Sequence, residues 1–337
     1  MGENMNIEII AESAQGFEGD ANLAMQLLRA TAASGANAAK FQLVYADELC
    51  TPDYKDFKFS KQLEMSDSVW ENLVLEADKL GIELIFDVFG ERSLSLAAEL
   101  GSKTVMLHAT DINNFELISK VNSGPIDRVI LGAGGAHFSE IINAIEGLPN
   151  KNICIMLGYQ GFPTPDEDNQ ISRVKNLTSG PLKKFKNVVG GFSDHSLPDS
   201  DLLVSLSAMA LGAGAVMFEK HLTLAQVLKL EDYESAINPD QFSNYCNKLR
   251  KCNEAFGKVS DAPDFGMSDV EKGYRKFVRR NVIAGRNIKM GERATISDFV
   301  FKRSSLQGAI VDINDILGKI ASRDLKMNQP ILLTDFI

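Results

Sequence analysis

Apolar, β-branched runs alternate with longer amphipathic stretches along most of this chain, which is the pattern of a parallel α/β fold. Eight runs read as strands: 7–12, 38–43, 83–89, 104–109, 128–134, 152–158, 188–194 and 215–221. Between them lie helix-period stretches such as 21–34, 68–80, 138–147 and 200–211. Eight βα units in roughly 260 residues predict a TIM (β/α)8 barrel, with an open doubly wound sheet as its competitor. Two loops exceed what a barrel needs, 44–67 after the second strand and 159–170 after the sixth. Loops of that length are candidate substrate covers.

A different texture begins at "DAPDFGMSD" (261–269), rich in turn formers. The tail beyond it carries a weak internal repeat. Asn287-Ile-Lys-Met-Gly-Glu-Arg-Ala-Thr-Ile-Ser-Asp-Phe299 resembles Asp324-Leu-Lys-Met-Asn-Gln-Pro-Ile-Leu-Leu-Thr-Asp-Phe336. Two such units folding on each other would make a small C-terminal domain. The expected division is a barrel at 1–262, a linker at 263–275 and the small domain at 276–337.

Charge sharpens that division. The 337-residue chain has net charge −10, yet from Glu271 on it holds thirteen Lys and Arg against seven Asp and Glu. The asymmetry suggests two domains and a docking surface, while the acidic total disfavours nucleic acid as a partner. No apolar run reaches the ~18 residues that span a bilayer. No basic region precedes an apolar stretch at the start, so no secretory signal is expected. The four cysteines (50, 154, 246 and 252) include no C-x-x-C pair, which fits reduced thiols and a cytoplasmic location.

Candidate chemistry gathers at strand ends. All four histidines, His108, His137, His195 and His221, fall at or just after one, the end where a barrel builds its site. "GGFSDHS" and, one βα unit later, "FEKHLTL" each deliver a histidine beside charged neighbours. Adjacent strands lie ~4.8 Å apart, so His195 and His221 can share one ion. Neutral imidazoles suit manganese, iron, cobalt or zinc better than magnesium. A hydrogen-bonded structural histidine is the plain alternative for each taken singly. Glu12, Lys40, Gln42, Asp87 and Glu219 put polar groups inside strand runs, where a charge is costly unless paired or used. Lys40 is placed to receive an anionic substrate. "LGAGGAHFS" (131–139) brings glycines to a helix start, a pattern that serves phosphate binding or merely a tight turn.

Taken together these stretches resemble the sialic acid (N-acetylneuraminate, or nonulosonic acid) synthase family. The likeness spans nearly the whole chain: "IIAESAQGFEGD", "SGANAAKFQ", "ATDINNFELI", "GYQGFPTP", "GFSDHS", "FEKHLTL", "RRNVIAGRNIKMGE" and "GKIASRDLKMNQPI". The resemblance implies a TIM barrel joined to a C-terminal antifreeze-like (SAF, β-clip) domain. It also implies a carbon–carbon bond-forming transferase that condenses phosphoenolpyruvate with an N-acetylhexosamine. By motif, His195 and His221 match the ligands of a divalent metal, usually manganese, with magnesium, cobalt or zinc as substitutes. Lys40, Ser193 and Gln160 match residues holding the phosphoenolpyruvate carboxylate. Glu12, Gln42, Asp111, Phe162 and Asp232 match positions around the sugar, and Glu219 a carboxylate that activates water. Arg303 matches an arginine that reaches the acetamido group across a domain-swapped homodimer.

The match departs where the family grips phosphate. Lys-Ile-Gly-Ser of the family is Met106-Leu-His-Ala109 here, and Ser-Thr-Gly is Gly132-Ala-Gly134. Each charge-assisted contact is worth ~1.5–3 kcal/mol, so the losses matter. Either His108, Thr110, Gly134 and Gly135 supply a replacement grip, or the three-carbon donor differs. A 2-oxo-acid aldolase or lyase and a non-catalytic sugar-binding relative are the functions that compete with the synthase.

Overall fold

The computed structural model describes residues 6–158, 161–257 and 262–337, in two compact units, Met1–Lys258 and Val259–Ile337. Unit one is a closed barrel of eight parallel strands in chain order. These are β1 (Glu8–Ala14), β2 (Ala38–Gln42), β3 (Glu83–Val88), β4 (Thr104–Leu107), β5 (Arg128–Gly132), β6 (Asn152–Leu157), β7 (Val188–Asp194) and β8 (Ala215–His221). β8 closes the ring on β1, with Glu12 level with both Lys40 and His221. The open-sheet alternative is excluded.

Several boundaries fall short of the periodicity. β4 stops at Leu107 because His108 caps a 3-10 turn, Ala109–Asp111. β5 stops at Gly132, ahead of a turn at Gly134 and Gly135. The loop after β2 is not structureless: Ala46–Leu49 and Phe57–Gln62 are short helices.

Alternation along the strands sorts the interior into layers. At the amino-terminal mouth Arg128 donates to Glu83 (2.8 Å) and to both oxygens of Glu8. Above it lies an apolar layer of Ile10, Ala38, Ile85, Met106, Ile130, Cys154, Met156 and Met217. Two residues further on, β1, β2, β3 and β8 turn polar with Glu12, Lys40, Asp87 and Glu219, and β7 adds Ser193, all at most 5% exposed. The outward residues pack under the helices. There Trp70, the single tryptophan, sits edge-on to Phe17, Phe41 and Phe86 at 5.6–6.3 Å between centroids. No helix of the described residues is long and apolar enough to cross a membrane.

Unit two's described residues start at Ala262, and its first helix begins inside the stretch expected as linker. Ser268 caps the helix Asp269–Val278, and Glu271 returns the bond to the Ser268 amide. The remainder bears out the internal repeat as a pair of reciprocal contacts. Ile288 and Leu325 exchange backbone bonds (2.8 and 2.9 Å), the Met290 amide donates to Asp324, and the Met327 amide donates to Asn287. Arg286 pairs with buried Asp298 as Arg323 pairs with buried Asp335. The repeat-related Phe299 and Phe336 meet at 5.8 Å. Strands β9 (Asn281–Ala284) and β10 (Phe299–Lys302) pair antiparallel.

Candidate active site

The polar layer lines a narrow cavity, about 60 Å³, at the carboxyl ends of the strands. Lys40 crosses it. Its ammonium is 3.1 Å from Asp87 and 3.0 Å from Glu219, closer still to Glu12, and 2.7 Å from the Met106 sulfur. Burial opposes the charge on Lys40, but Asp87, Glu12 and Glu219 outweigh it and raise its pKa. Three carboxylates sharing one cation cannot be equivalent. Burial, with Asp87 and Glu219 adding to it, pushes Glu12 well above the usual carboxylate range despite Lys40. Burial acts on Glu219 the same way, yet Lys40 and the Ser193 hydroxyl, which donates to it at 2.7 Å, leave it below that range. The other Glu12 oxygen accepts from the Ala14 amide, and Ala14 is held at φ 42° beside a register shift in β1. A left-handed alanine is strained backbone next to the chemistry.

His195 and His221 face each other with ring centroids 5.2 Å apart, and Phe162 lies 4.7 Å from the first and 6.2 Å from the second. Burial holds His195 neutral, its pKa pulled down to about 4, and takes His221 well below its ordinary value. Nδ1 of His195 is buried without a hydrogen-bond partner. A neutral ring with an unpaired nitrogen, facing a second neutral ring, suits an ion. No group of three or more His, Cys, Asp or Glu among the described residues is arranged to hold one, so the two rings would need solvent or substrate to complete the shell. Gly158 makes this corner possible: a Cβ there would lie 2.6 Å from the Ser193 carbonyl and 3.3 Å from the His195 ring.

Thus Glu12, Lys40, Gln42, His108, Phe162, Ser193, His195, Glu219, His221 and Asp232 all line one cavity. Asp232, at φ 64°, has its pKa raised to about 6, chiefly by burial and then by Glu231. Thr110 and Asp111 do not line it. Asp111 is tied to Thr110 and Asn114 within its own turn and opens instead onto a neighbouring cavity. Gly134 and Gly135 are not among the lining residues. Gln160 lies outside the described residues, and Arg303 is an exposed residue of unit two.

Two features escaped the reading of the strand ends. Asp194, the carboxylate beside His195, turns to the other face and pairs with fully buried Lys220 (3.3 Å), which also donates to the Ser196 carbonyl. A period of two, applied to Asp194-His195 and Lys220-His221, gives the signal that finds this pair. The second is the Met106 sulfur at Lys40, and nothing local points to it. The wall formed by Met106, Ala109, Gly132, Met156 and Gly158 carries no charged side chain. Gly132 gives Met106 its room, since a Cβ there would stand 3.0 Å from the Met106 methyl.

Fold and site define a TIM-barrel protein whose polar cavity, centred on a lysine, opens at the carboxyl ends of the strands, joined to a SAF domain. The chain belongs to the NeuB family, whose model matches residues 27–261, and the SAF domain model matches 279–337. It is 27% identical to the N,N'-diacetyllegionaminic acid synthase of Campylobacter jejuni, over 95% of this chain and 97% of that one. It is 22% identical to the N-acetylneuraminate-9-phosphate synthase of Drosophila melanogaster, over 97% and 95%. Among solved structures, a spore coat polysaccharide biosynthesis protein E from Chromobacterium violaceum superposes with a TM-score of 0.81 at 21% identity, covering 98% of this chain and 99% of the other.

Proposed function

We propose that this protein is a nonulosonic acid synthase, condensing phosphoenolpyruvate with the aldehyde form of an N-acetylated hexosamine and releasing phosphate. The observation that carries the reading is the pairing of two facing neutral imidazoles, His195 and His221, with a buried lysine in one cavity. Lys40 offers its cation to the donor carboxylate, with Ser193 beside it. Because Lys40 already spans the narrow cavity to three carboxylates, donor binding must draw it away from at least one. Gln42, Phe162 and Asp232, which line the same cavity, would contact the sugar.

In this reading C3 of the enolpyruvyl group bonds to the aldehyde carbon, and the alkoxide takes a proton from Glu12. Water adds to C2 as Glu219 accepts its proton, and the tetrahedral centre then loses phosphate by C–O cleavage. His195 and His221 would hold a divalent metal, manganese being our assignment, which when bound supplies Lewis-acid polarisation of the aldehyde oxygen. The division at 1–262, 263–275 and 276–337, a cytoplasmic location and a swapped homodimer bringing Arg303 to a second copy's site belong to the same proposal.

The uncharged wall at Met106, Ala109 and Gly132 favours a second reading, an aldolase or lyase acting on a 2-oxo acid that carries no phosphate. A sugar-binding relative without catalysis is the third. Phosphate release with Mn²⁺, phosphoenolpyruvate and a panel of N-acetylated hexosamines, beside a His195→Ala control, separates them. Release that requires sugar and vanishes in the control supports the synthase. Carbon–carbon bond formation between pyruvate and the sugar aldehyde, without phosphoenolpyruvate, supports the aldolase, and sugar binding without either product supports the third.

A further inference from the structure

The excess positive charge of the C-terminal tail is not spread evenly over unit two. Arg286, Lys289 and Arg323 each pair with a carboxylate. The helix Asp269–Val278 and the residue after it differ. Lys272, Arg275, Lys276 and Arg279 follow one another at helical spacing, which brings all four to one face. They line a cavity of about 560 Å³ built of unit two's residues alone, with no aspartate or glutamate in its lining. Lys272 is held by Asp264 at 2.8 Å. Among the described residues the other three make no ion pair.

The opposite wall offers donors rather than acceptors. It is the loop 304–309 after β10. The Asn281 side chain donates to the Ala309 carbonyl (3.0 Å) and the Val282 amide to that of Ile310 (2.8 Å), which fixes the loop close to the end of the helix. The Leu306 amide donates to the Ser304 hydroxyl. Among the described residues, the amides of Ser305, Gln307 and Gly308 donate to no other group. Met267, Leu306 and Val311 add an apolar patch. The helix dipole favours cations in the last turn, but two like-charged i,i+4 pairs, Lys272–Lys276 and Arg275–Arg279, work against the helix. A bound anion would remove that repulsion. Arginines facing unpaired backbone amides suit phosphate oxygens. The cavity's size is that of a small organic ligand rather than of inorganic phosphate.

We infer that unit two binds a phosphate ester of nucleotide size in this cleft, its phosphates between Arg275, Arg279 and the 305–308 amides. Arg303 does not line the cavity, and the site is independent of the barrel's chemistry. Calorimetry on the full chain, with chelator present to remove divalent metal, measures ADP, adenosine and pyrophosphate. ADP should bind and adenosine should not. Pyrophosphate, which has nothing to lay on the apolar patch, should bind severalfold more weakly than ADP. Arg275→Gln/Arg279→Gln on the helix wall, and Ser305→Glu on the loop wall, should each weaken ADP at least about tenfold. Lys319→Gln/Lys326→Gln removes the same charge from exposed positions of unit two outside the cavity and should leave ADP within about twofold. Circular dichroism checks that each variant keeps its fold. No ADP binding, ADP binding that survives both cleft variants, or an equal loss in the Lys319/Lys326 variant overturns the inference. Pyrophosphate binding as tightly as ADP overturns it too, since the cleft would then read charge and not an ester.

Discussion

Lys40→Met tests whether the buried charge cluster organises the barrel mouth. The substitution keeps an unbranched apolar stem and removes the cation that Glu12, Asp87 and Glu219 share, all at most 3% exposed. At 3.1 Å and an effective dielectric of about 20, one such pair is worth about 5 kcal/mol of attraction. Desolvation of the lysine offsets part of it, and removing one partner of a buried ion pair costs about 3–5 kcal/mol in practice. That is a large share of the ~5–15 kcal/mol by which a domain is stable. Asp87→Asn alone should cost less, because it also relieves repulsion with Glu12 and Glu219. In the Lys40→Met background it should stabilise, giving a coupling of about 2–3 kcal/mol. Urea unfolding followed by Trp70 fluorescence reads this out, since the sole tryptophan lies in the barrel. A Lys40→Met loss under about 1 kcal/mol, or an Asp87→Asn effect equal in both backgrounds, would refute the cluster as an energetic unit.

Three further perturbations probe other parts of the site. Gly158→Ala forces a Cβ to within 2.6 Å of the Ser193 carbonyl and should cost about 1–3 kcal/mol while weakening Mn²⁺ binding; an unfolding midpoint equal to that of the unaltered protein would contradict it. Asp232, its pKa raised to about 6 by burial and then by Glu231, holds more protons folded than unfolded between about pH 4 and 6. Its contribution is therefore present below pH 4 and lost as pH rises through 6, on the order of 2–3 kcal/mol. Asp232→Asn should flatten that slope and stabilise the protein at pH 8, measured by urea titrations from pH 4.5 to 8. His195→Ala should weaken Mn²⁺ binding by more than the ~10–100-fold lost with an outer partner, as read by electron paramagnetic resonance of free ion. Unchanged affinity would remove His195 from the ligand set.

Much of this was written in the chain itself. Glu8-Ile10-Glu12, Ala38-Lys40-Gln42, Glu83-Ile85-Asp87 and Met217-Glu219-His221 each step inward with a period of two, so the layering and the polar ends of these four strands could be read locally. His195 and His221 close on each other because consecutive βα units occupy neighbouring staves. The tail repeat was visible as well, for its two halves must share a backbone geometry to exchange bonds. What could not be read was partnership. Lys40 meets Asp87 and Met106, 47 and 66 residues away, while Asp194 leaves its neighbouring histidine for Lys220. Asp111, expected at the sugar, is bound into its own turn and opens onto a neighbouring cavity. A side chain's face follows from its own strand, because the alternation is local. The height at which it meets another strand's side chain depends on the stagger of a closed barrel, which all eight strands set together.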